Sequence, residues 1–181
     1  RCSLEKAVVQ HPRLPNLYLL TAPVSHDISH ISDEQMRELI GQIKETFAFC
    51  LIDAPAGLGS GFRLAAAGAD RAIIVTTTDS SSLRDAQRAV MELSDYSLRS
   101  RHLVVNRVDK NMLSILKMTI DDVMDTAGLP LIGIVMEDSD VTLAAACGLP
   151  LLRFNKRSAA VKSYTKIANR IQGIPEPISF R

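Results

Sequence analysis

The sequence lacks the features that mark several large classes of protein. Its 181 residues include three cysteines and no Cys-x-x-Cys pair, which argues against a disulfide scaffold and favours reduced thiols in a cytoplasmic protein. No apolar run approaches the roughly 18 residues of a membrane span, and no apolar segment typical of a signal peptide follows Arg1. Lys and Arg (21) nearly balance Asp and Glu (20), so we expect no nucleic-acid partner.

What is present is the composition of a folded domain. Hydrophobic residues make up 46% of the chain and charged residues 23%, which excludes a disordered chain and a collagen. With about one domain per 150 residues, the length predicts a single domain over residues 1–181. A chain of this size buries roughly 70% of its unfolded surface, which is enough for a core.

Apolar periodicity predicts strands that alternate with helices. Four helices are expected to begin at polar capping residues, and a fifth, short helix is expected at 141–147. Strands and helices in this order predict an α/β fold, with a mostly parallel sheet and helices on both faces. The predicted strands are 16–21, 48–52, 71–77, 102–105 and 131–135, and the helix starts are Ser32 (a capping box with Gln35), the serine run 80–82, Thr119 and Ser158.

Ligands of an open parallel sheet bind at the carboxyl ends of its strands, so the residues after each strand are the candidates. Asp53 follows the apolar run 49–52, where P-loop ATPases place a carboxylate that holds Mg²⁺ directly or through a water. A turn or N-cap aspartate gives the same pattern. Gly57, Gly59 and Gly61 come next, in a spacing that is not a dinucleotide fingerprint and that favours a loop whose amides approach a phosphate.

Three further candidates have weaker patterns. Asn106 follows a predicted strand, and its amide carries the donor and acceptor needed to read an adenine edge, although a turn-forming Asn is an equal alternative. His26 and His30 have helical metal-ligand spacing but no third ligand nearby. Cys50 lies between apolar neighbours, which predicts a buried core thiol instead of a nucleophile.

The segment 49–62, FCLIDAPAGLGSGF, resembles the Walker B and switch II region of the MinD family, within the MinD/ParA group of deviant P-loop ATPases. The resemblance continues in regular order and covers nearly the whole chain. Its other segments are TTTDSSSLRDAQR (76–88), LVVNRV (103–108), MTIDDV (118–123) and the stretch 131–152.

This resemblance implies ATP and Mg²⁺ as cofactors. Asp53 would be the acidic residue near Mg²⁺, through a water, and Gly57 would belong to the switch II loop that senses the γ-phosphate. Asn106 would face adenine, with the segment that contains Met136 and Asp138 on the other side of the base.

The resemblance also implies partners and a location. Ser82, Arg84 and Asp85 would belong to the helical surface that contacts the inhibitor MinC and the activator MinE. Two ATP-bound subunits of the family form a homodimer on the inner membrane, and hydrolysis stimulated by MinE releases it. This cycle positions the division septum, so we expect a cytoplasmic protein that associates peripherally with the inner membrane.

Three departures from the family pattern qualify these expectations. No G-x-x-x-x-G-K-[ST] stretch occurs in the 181 residues, Met136 stands where the family usually has proline, and Pro175 and Pro177 interrupt the segment 174–181. We therefore expect a partial chain, without its P-loop and its C-terminal membrane helix, that is inactive alone. The alternatives are a ParA/FlhG-type positioning ATPase and a non-catalytic binding or scaffold module.

Overall fold

The computed structural model describes residues 3–21 and 31–178. The chain divides into two compact units, of which the first ends at Ala69 and the second begins at Asp70. The prediction of one domain over residues 1–181 stays a prediction.

The first unit opens with the short helix α1 (Leu4–Ala7) and a small hairpin. Strand β1 (Val9–Gln10) pairs antiparallel with β2 (Tyr18–Leu19), and both strands are exposed. The strand predicted at 16–21 is therefore present but short. It forms a hairpin arm instead of joining a parallel sheet, because its ladder partner is the adjacent segment of the chain.

Two helices form the core of this unit. Helix α2 (Asp33–Thr46) begins with the predicted capping box, in which Gln35 N–H donates to Ser32 Oγ and Ser32 N–H donates to Gln35 Oε1. It packs against α3 (Ser60–Gly68), a helix that the sequence did not predict. A Cβ added at Gly68 would lie 2.7 Å from Ile40 Cγ1, so glycine allows the close approach.

The strand predicted at 48–52 is absent from the described structure. These residues have no strand assignment, and the side chains of Phe49 and Leu51 are 57% and 84% exposed instead of covered on two faces. A run of apolar residues becomes a strand only where another strand supplies the ladder hydrogen bonds. No strand pairing recorded for the described residues includes this segment.

The second unit contains a parallel sheet, whose described strands lie in the order β3 (Arg71–Thr76), β4 (Ser100–Val108) and β5 (Leu131–Met136). Its alternation of parallel strands and helices confirms the predicted α/β fold class. Its core is aliphatic, and the largest fully buried side chains are Leu103, Val105, Val108, Val123 and Val135. The helices are α4 (Ser80–Glu92), α5 (Lys110–Leu116), α6 (Ile120–Ala127), α7 (Ser139–Ala146), α8 (Leu151–Phe154) and α9 (Ala159–Ile171), and a 3-10 turn covers Leu93–Asp95.

Several helix ends of this unit are where the sequence predicts them. Thr119 caps α6 in a reciprocal capping box with Asp122, and Gly128 ends that helix at a φ of 68°. Ser158 caps α9 by accepting a hydrogen bond from the Val161 amide. Helices α5 and α8 were not predicted; they are short and form between longer elements.

Helix α9 packs on strand β5, as its apolar face predicts. Ala160 and Ile167 are buried in one cluster with Ile132 and Val135 of this strand, and a Cβ added at Gly133 would lie 2.2 Å from Ile167 Cγ1. None of the helices in residues 3–21 and 31–178 combines the length and the apolar character needed to cross a bilayer.

Candidate functional site

Asp53 lies in the first unit, in the extended segment between α2 and α3. Its side chain is exposed. No cluster of three or more His, Cys, Asp or Glu suited to a metal occurs in the described parts of the chain. One exposed carboxylate still fits Mg²⁺, because this ion commonly takes one or two carboxylates and completes its shell with waters and phosphate oxygens.

The loop that follows Asp53 has glycine at two positions that shape its backbone. Gly57 has a φ of +86°, a left-handed conformation that favours glycine, and Gly59 is the N-cap of α3 without a side chain to cap the first turn. Such a loop can bring backbone N–H groups close to an anion, as the sequence predicts. A shallow depression beside this helix start is lined by Ile31, Asp33, Leu58, Gly59, Ser60, Arg63 and Leu64.

Asn106 lies in the second unit, inside β4 and not after it. Val105 pairs with Ile134 and Val108 with Met136, so the two β4 residues between them face a single β5 residue. This bulge leaves Asn106 half-buried at the carboxyl edge of the sheet. The prediction that the strand ends at residue 105 is wrong, because β4 returns to the core at Val108.

An ion pair joins the ends of β4 and β5 beside Asn106. Arg107 Nε donates to Glu137 Oε2 at 2.9 Å, and the Glu137 amide donates to the Val108 carbonyl oxygen at 3.0 Å. The sequence did not predict that these two residues pair, although it places opposite charges near the ends of two neighbouring apolar strands.

Asp138 connects the starts of two helices. Its Oδ1 accepts from the Asp140 amide at 3.0 Å, and its Oδ2 accepts from Ser158 Oγ at 2.6 Å and from the Ala160 amide at 3.1 Å. The Ser158 hydroxyl is the main cause that lowers the pKa of this carboxyl. Met136, the last residue of β5, is half-buried. The predicted contact of both residues with adenine stays a prediction, and the Asp138 side chain already caps α7.

Asp79 was missed by the sequence reasoning, which placed the helix start at the serines that follow it. It is the N-cap of α4: its Oδ1 accepts from the amides of Ser81 (3.2 Å) and Ser82 (2.9 Å), and Thr77 Oγ1 donates to its Oδ2. The Thr77 hydroxyl, followed by the Ser82 amide, holds the pKa of Asp79 well below its usual range. The preference of aspartate for N-caps was the available signal.

The predicted partner surface lies on the first turns of α4. Leu83 and Ala86 are buried, whereas Arg84 and Asp85 are exposed and Ser82 is half-buried. Arg84 Nε donates to the Ser80 carbonyl oxygen at 3.2 Å. Arg84 and Asp85 are therefore accessible to a partner, and their role in binding one stays a prediction.

The remaining candidates are the two histidines and Cys50. His26 and His30 lie outside the described residues. Cys50 is exposed, so the prediction of a buried core thiol is wrong; it lies in the same segment that forms no strand. Partial desolvation by its neighbours still raises the pKa of the Cys50 thiol, and a raised thiol pKa opposes a nucleophilic role.

Comparison with known proteins gives a consistent set of relatives, although no family model matches the chain. The septum site-determining protein MinD of Synechocystis is 38% identical over 173 residues, which are 95% of this chain and 65% of that protein. MinD of Bacillus subtilis is 34% identical over 181 residues, covering 98% of this chain and 67% of its own length. The chain thus spans about two thirds of the length of these curated relatives.

Solved structures agree with the sequence relatives. The MinD cell division protein of Aquifex aeolicus is 30% identical with a TM-score of 0.85, and the match covers 97% of this chain and 72% of that one. The same protein in a MinC:MinD complex has the same identity, TM-score and share of this chain, with 70% of its own chain covered. MinD of Pyrococcus horikoshii, complexed with Mg-ADP, is 24% identical with a TM-score of 0.79 over 94% of this chain and 69% of that one, and it supports the fold alone. The chain therefore belongs to the MinD family of septum site-determining proteins.

Proposed function

We propose that the chain is part of an ATPase that positions the bacterial division septum. In this proposal two ATP-bound copies dimerise, associate with the inner membrane and cycle with MinC and MinE. The observation that carries it is identity of 34–38% to septum site-determining relatives over at least 95% of the chain. The MinC complex of the Aquifex protein supports the same partner here.

Each of the two units offers residues whose chemistry suits part of a nucleotide. When bound, Mg²⁺ neutralises charge on the phosphoryl oxygens. Asp53 offers an exposed carboxylate that can orient a water of that ion, and the amides around Gly57 can approach a phosphate. Asn106 presents an amide that can donate to and accept from an adenine edge. Arg84 and Asp85 offer exposed charges for a partner protein.

Substitution of Asp53 by asparagine tests the proposal in the full-length protein that contains this chain. The change removes one negative charge and keeps the size of the side chain. Loss of a single positioned electrostatic group lowers turnover by about 10²-fold or more. Phosphate release under saturating ATP and Mg²⁺ measures the effect, and Asp95→Asn, at an exposed residue of the 3-10 turn, is the matched control. Near-normal turnover of Asp53→Asn with an unchanged circular dichroism spectrum contradicts the role.

A non-catalytic binding or scaffold module is the second candidate. It is favoured by one observation, the exposed charges of Arg84 and Asp85 on α4, which offer a contact face that needs no nucleotide. The two candidates differ in one measurement, because only the ATPase predicts phosphate release by the full-length protein.

A further inference from the structure

Four large apolar side chains are exposed on two consecutive helices of the second unit. They are Leu143 on α7, Leu149 in the turn that follows it, and Leu152 and Phe154 on α8, with exposed fractions of 51%, 45%, 57% and 36%. The two helices pack against each other, and the Leu149 amide donates to the Ala144 carbonyl oxygen at 2.9 Å, which closes the turn between them. These four residues form the α7–α8 patch.

The core of the unit does not require the α7–α8 patch. Other residues of the same two helices already face inward: Ala144 is 2% exposed, and Val141 and Leu151 pack against the core cluster that includes Ile132 and Val135. Each helix therefore has one apolar side for the interior and a second one that faces outward. Exposed apolar side chains that are grouped in this way are typical of surfaces that bind another molecule or a membrane.

A long run of one charge sign accompanies the patch. Residues 141–175 contain six Lys and Arg and no Asp or Glu, although the whole chain has nearly equal numbers of the two kinds, 21 and 20. Four of these six basic side chains are exposed, and they lie within or just after the patch: Arg153, Lys156, Arg157 and Lys162. The patch is therefore complementary to a surface that is both apolar and negatively charged.

Acidic side chains near the start of α7 are already engaged in hydrogen bonds. Asp138 Oδ2 accepts from Ser158 Oγ, and Asp140 Oδ2 accepts from Asn155 Nδ2, each at 2.6 Å. Both aspartates are half-buried, whereas the four basic side chains are exposed. A partner that approaches the patch thus meets basic groups at its rim.

An anionic bilayer fits this combination. Leu and Phe side chains can enter the boundary between headgroups and acyl chains, while Lys and Arg attract the lipid phosphates. A protein partner fits less well, because protein interfaces are poor in lysine. We propose that the α7–α8 patch, with the four basic residues beside it, is a contact surface for anionic phospholipid.

The proposal rests on the proposed function, which brings the protein to the inner membrane, and it assigns a site for that contact. This site differs from the C-terminal membrane helix that the family resemblance implies, since all of its residues lie in 143–162.

Co-sedimentation of the full-length protein that contains this chain with lipid vesicles tests the proposal. The vesicles contain phosphatidylglycerol and phosphatidylcholine in equal parts, with ATP and Mg²⁺ present, and pure phosphatidylcholine vesicles are the reference. Leu152→Ser should weaken binding to the anionic vesicles about tenfold, because one apolar group no longer leaves water. Arg153→Gln should weaken the same binding about fivefold and should not change binding to the reference vesicles.

Two substitutions elsewhere in the second unit are matched controls. Ile115 on α5 is 73% exposed, and Arg99 is exposed just before β4. Ile115→Ser and Arg99→Gln remove the same kinds of group as the test variants and should leave vesicle binding unchanged. Equal weakening by the controls would show that any exposed apolar or basic group contributes, and it would overturn the proposal.

The outcomes separate the patch from the function on which it rests. A wild-type protein that does not bind anionic vesicles overturns both the patch and the membrane step of the proposed function. A wild-type protein that binds them, with equal binding by Leu152→Ser and Arg153→Gln, overturns the patch alone. If these variants bind vesicles normally but lose dimer mass in light scattering, or lose MinC, a second copy or a protein partner occupies the patch instead.

Cys147 reports whether another part of the full-length protein covers the patch. Its thiol is exposed at the end of α7, between Leu143 and Leu149 in the sequence. Maleimide should label Cys147 in the native protein without vesicles, and anionic vesicles should slow the labelling, as mass spectrometry of the Cys147 peptide measures. Labelling that requires denaturant would show that the protein covers its own patch, and the proposal would be wrong.

Discussion

At the residue scale, three aspartate carboxylates accept hydrogen bonds at the starts of helices. Asp79 and Asp138 each accept a backbone N–H from the first turn of a helix, whereas Asp122 accepts the amide of the N-cap residue Thr119. Each of the three also accepts a hydroxyl hydrogen bond. The N–H groups at a helix start have no partner within the helix, so these oxygens satisfy donors that would otherwise rely on water. The same bonds favour the charged form and lower the pKa of all three carboxyls.

Replacing Asp79 by alanine should destabilise the protein by about 1 kcal/mol, the usual effect of removing an N-cap. The change deprives the amides of Ser81 and Ser82 of their acceptor. Asp79→Asn is the matched control, because asparagine caps as well as aspartate and should change stability much less. Urea unfolding at neutral pH measures both variants, and equal stabilities for Asp79→Ala and the wild type would show that the cap contributes nothing.

Acid should weaken the fold through these same groups. A carboxyl whose pKa is lower in the folded state contributes stability above its unfolded pKa of about 3.9, and loses it as the pH falls through that value toward the folded pKa. We therefore expect the free energy of unfolding to drop as the pH is lowered below about 5. Denaturant titrations at several pH values check this, and Asp79→Asn should show a shallower drop than the wild type.

At the scale of elements, close packing of α9 on β5 depends on one glycine. A Cβ at Gly133 would lie within 2.2 Å of Ile167 Cγ1 and 2.6 Å of its Cδ1. Gly133→Ala should therefore destabilise by about 1–3 kcal/mol, as overpacking of a core does.

The control for this substitution is Gly41→Ala in α2. No heavy atom lies within 4 Å of a Cβ added at Gly41, so alanine there should stabilise the helix by about 0.5–1 kcal/mol. Thermal unfolding of the two variants should move in opposite directions. A Gly133→Ala protein as stable as the wild type would mean that α9 can shift away from the sheet.

Elements also differ in how far the sequence predicts them. The helices that begin at Ser32, Thr119 and Ser158 do so as expected, because a cap and the turn that it serves are a few residues apart. The strand expected at 48–52 does not form, although its apolar run is as clear as that of β5. A strand needs a partner from elsewhere, and an apolar run does not encode which partner is available.

At the scale of the whole molecule, the proposed activity depends on parts that the 181 residues do not contain. Phosphoryl transfer is accelerated by backbone amides, a lysine and Mg²⁺ around the phosphates, and no P-loop sequence supplies the first two here. We expect the isolated chain to bind ATP weakly and to release no phosphate. A phosphate-release assay and a fluorescent-nucleotide titration check this, with the full-length protein as the positive control. Steady turnover by the isolated chain would contradict it.

The candidate functional residues were only partly predictable, because some of their contacts join segments that are distant in the chain. Asp53, Gly57 and Asn106 could be chosen from the sequence, because each follows an apolar run and carries chemistry suited to a phosphate, a metal or a base. The capping role of Asp138 could not be foreseen, since two of its donors are Ser158 and Ala160, about 20 residues farther along the chain.

The sequence by itself determined the α/β class, the capped helix starts and the family resemblance, because these depend on periodicity and on residues that are near neighbours. The tertiary structure decided which apolar runs became strands and where β4 bulged. It also brought Arg107 to Glu137 and Asp138 to Ser158. Each of these outcomes depends on pairing or packing between segments that are distant in the chain, and the free energy of such contacts is set by geometry that local patterns do not contain.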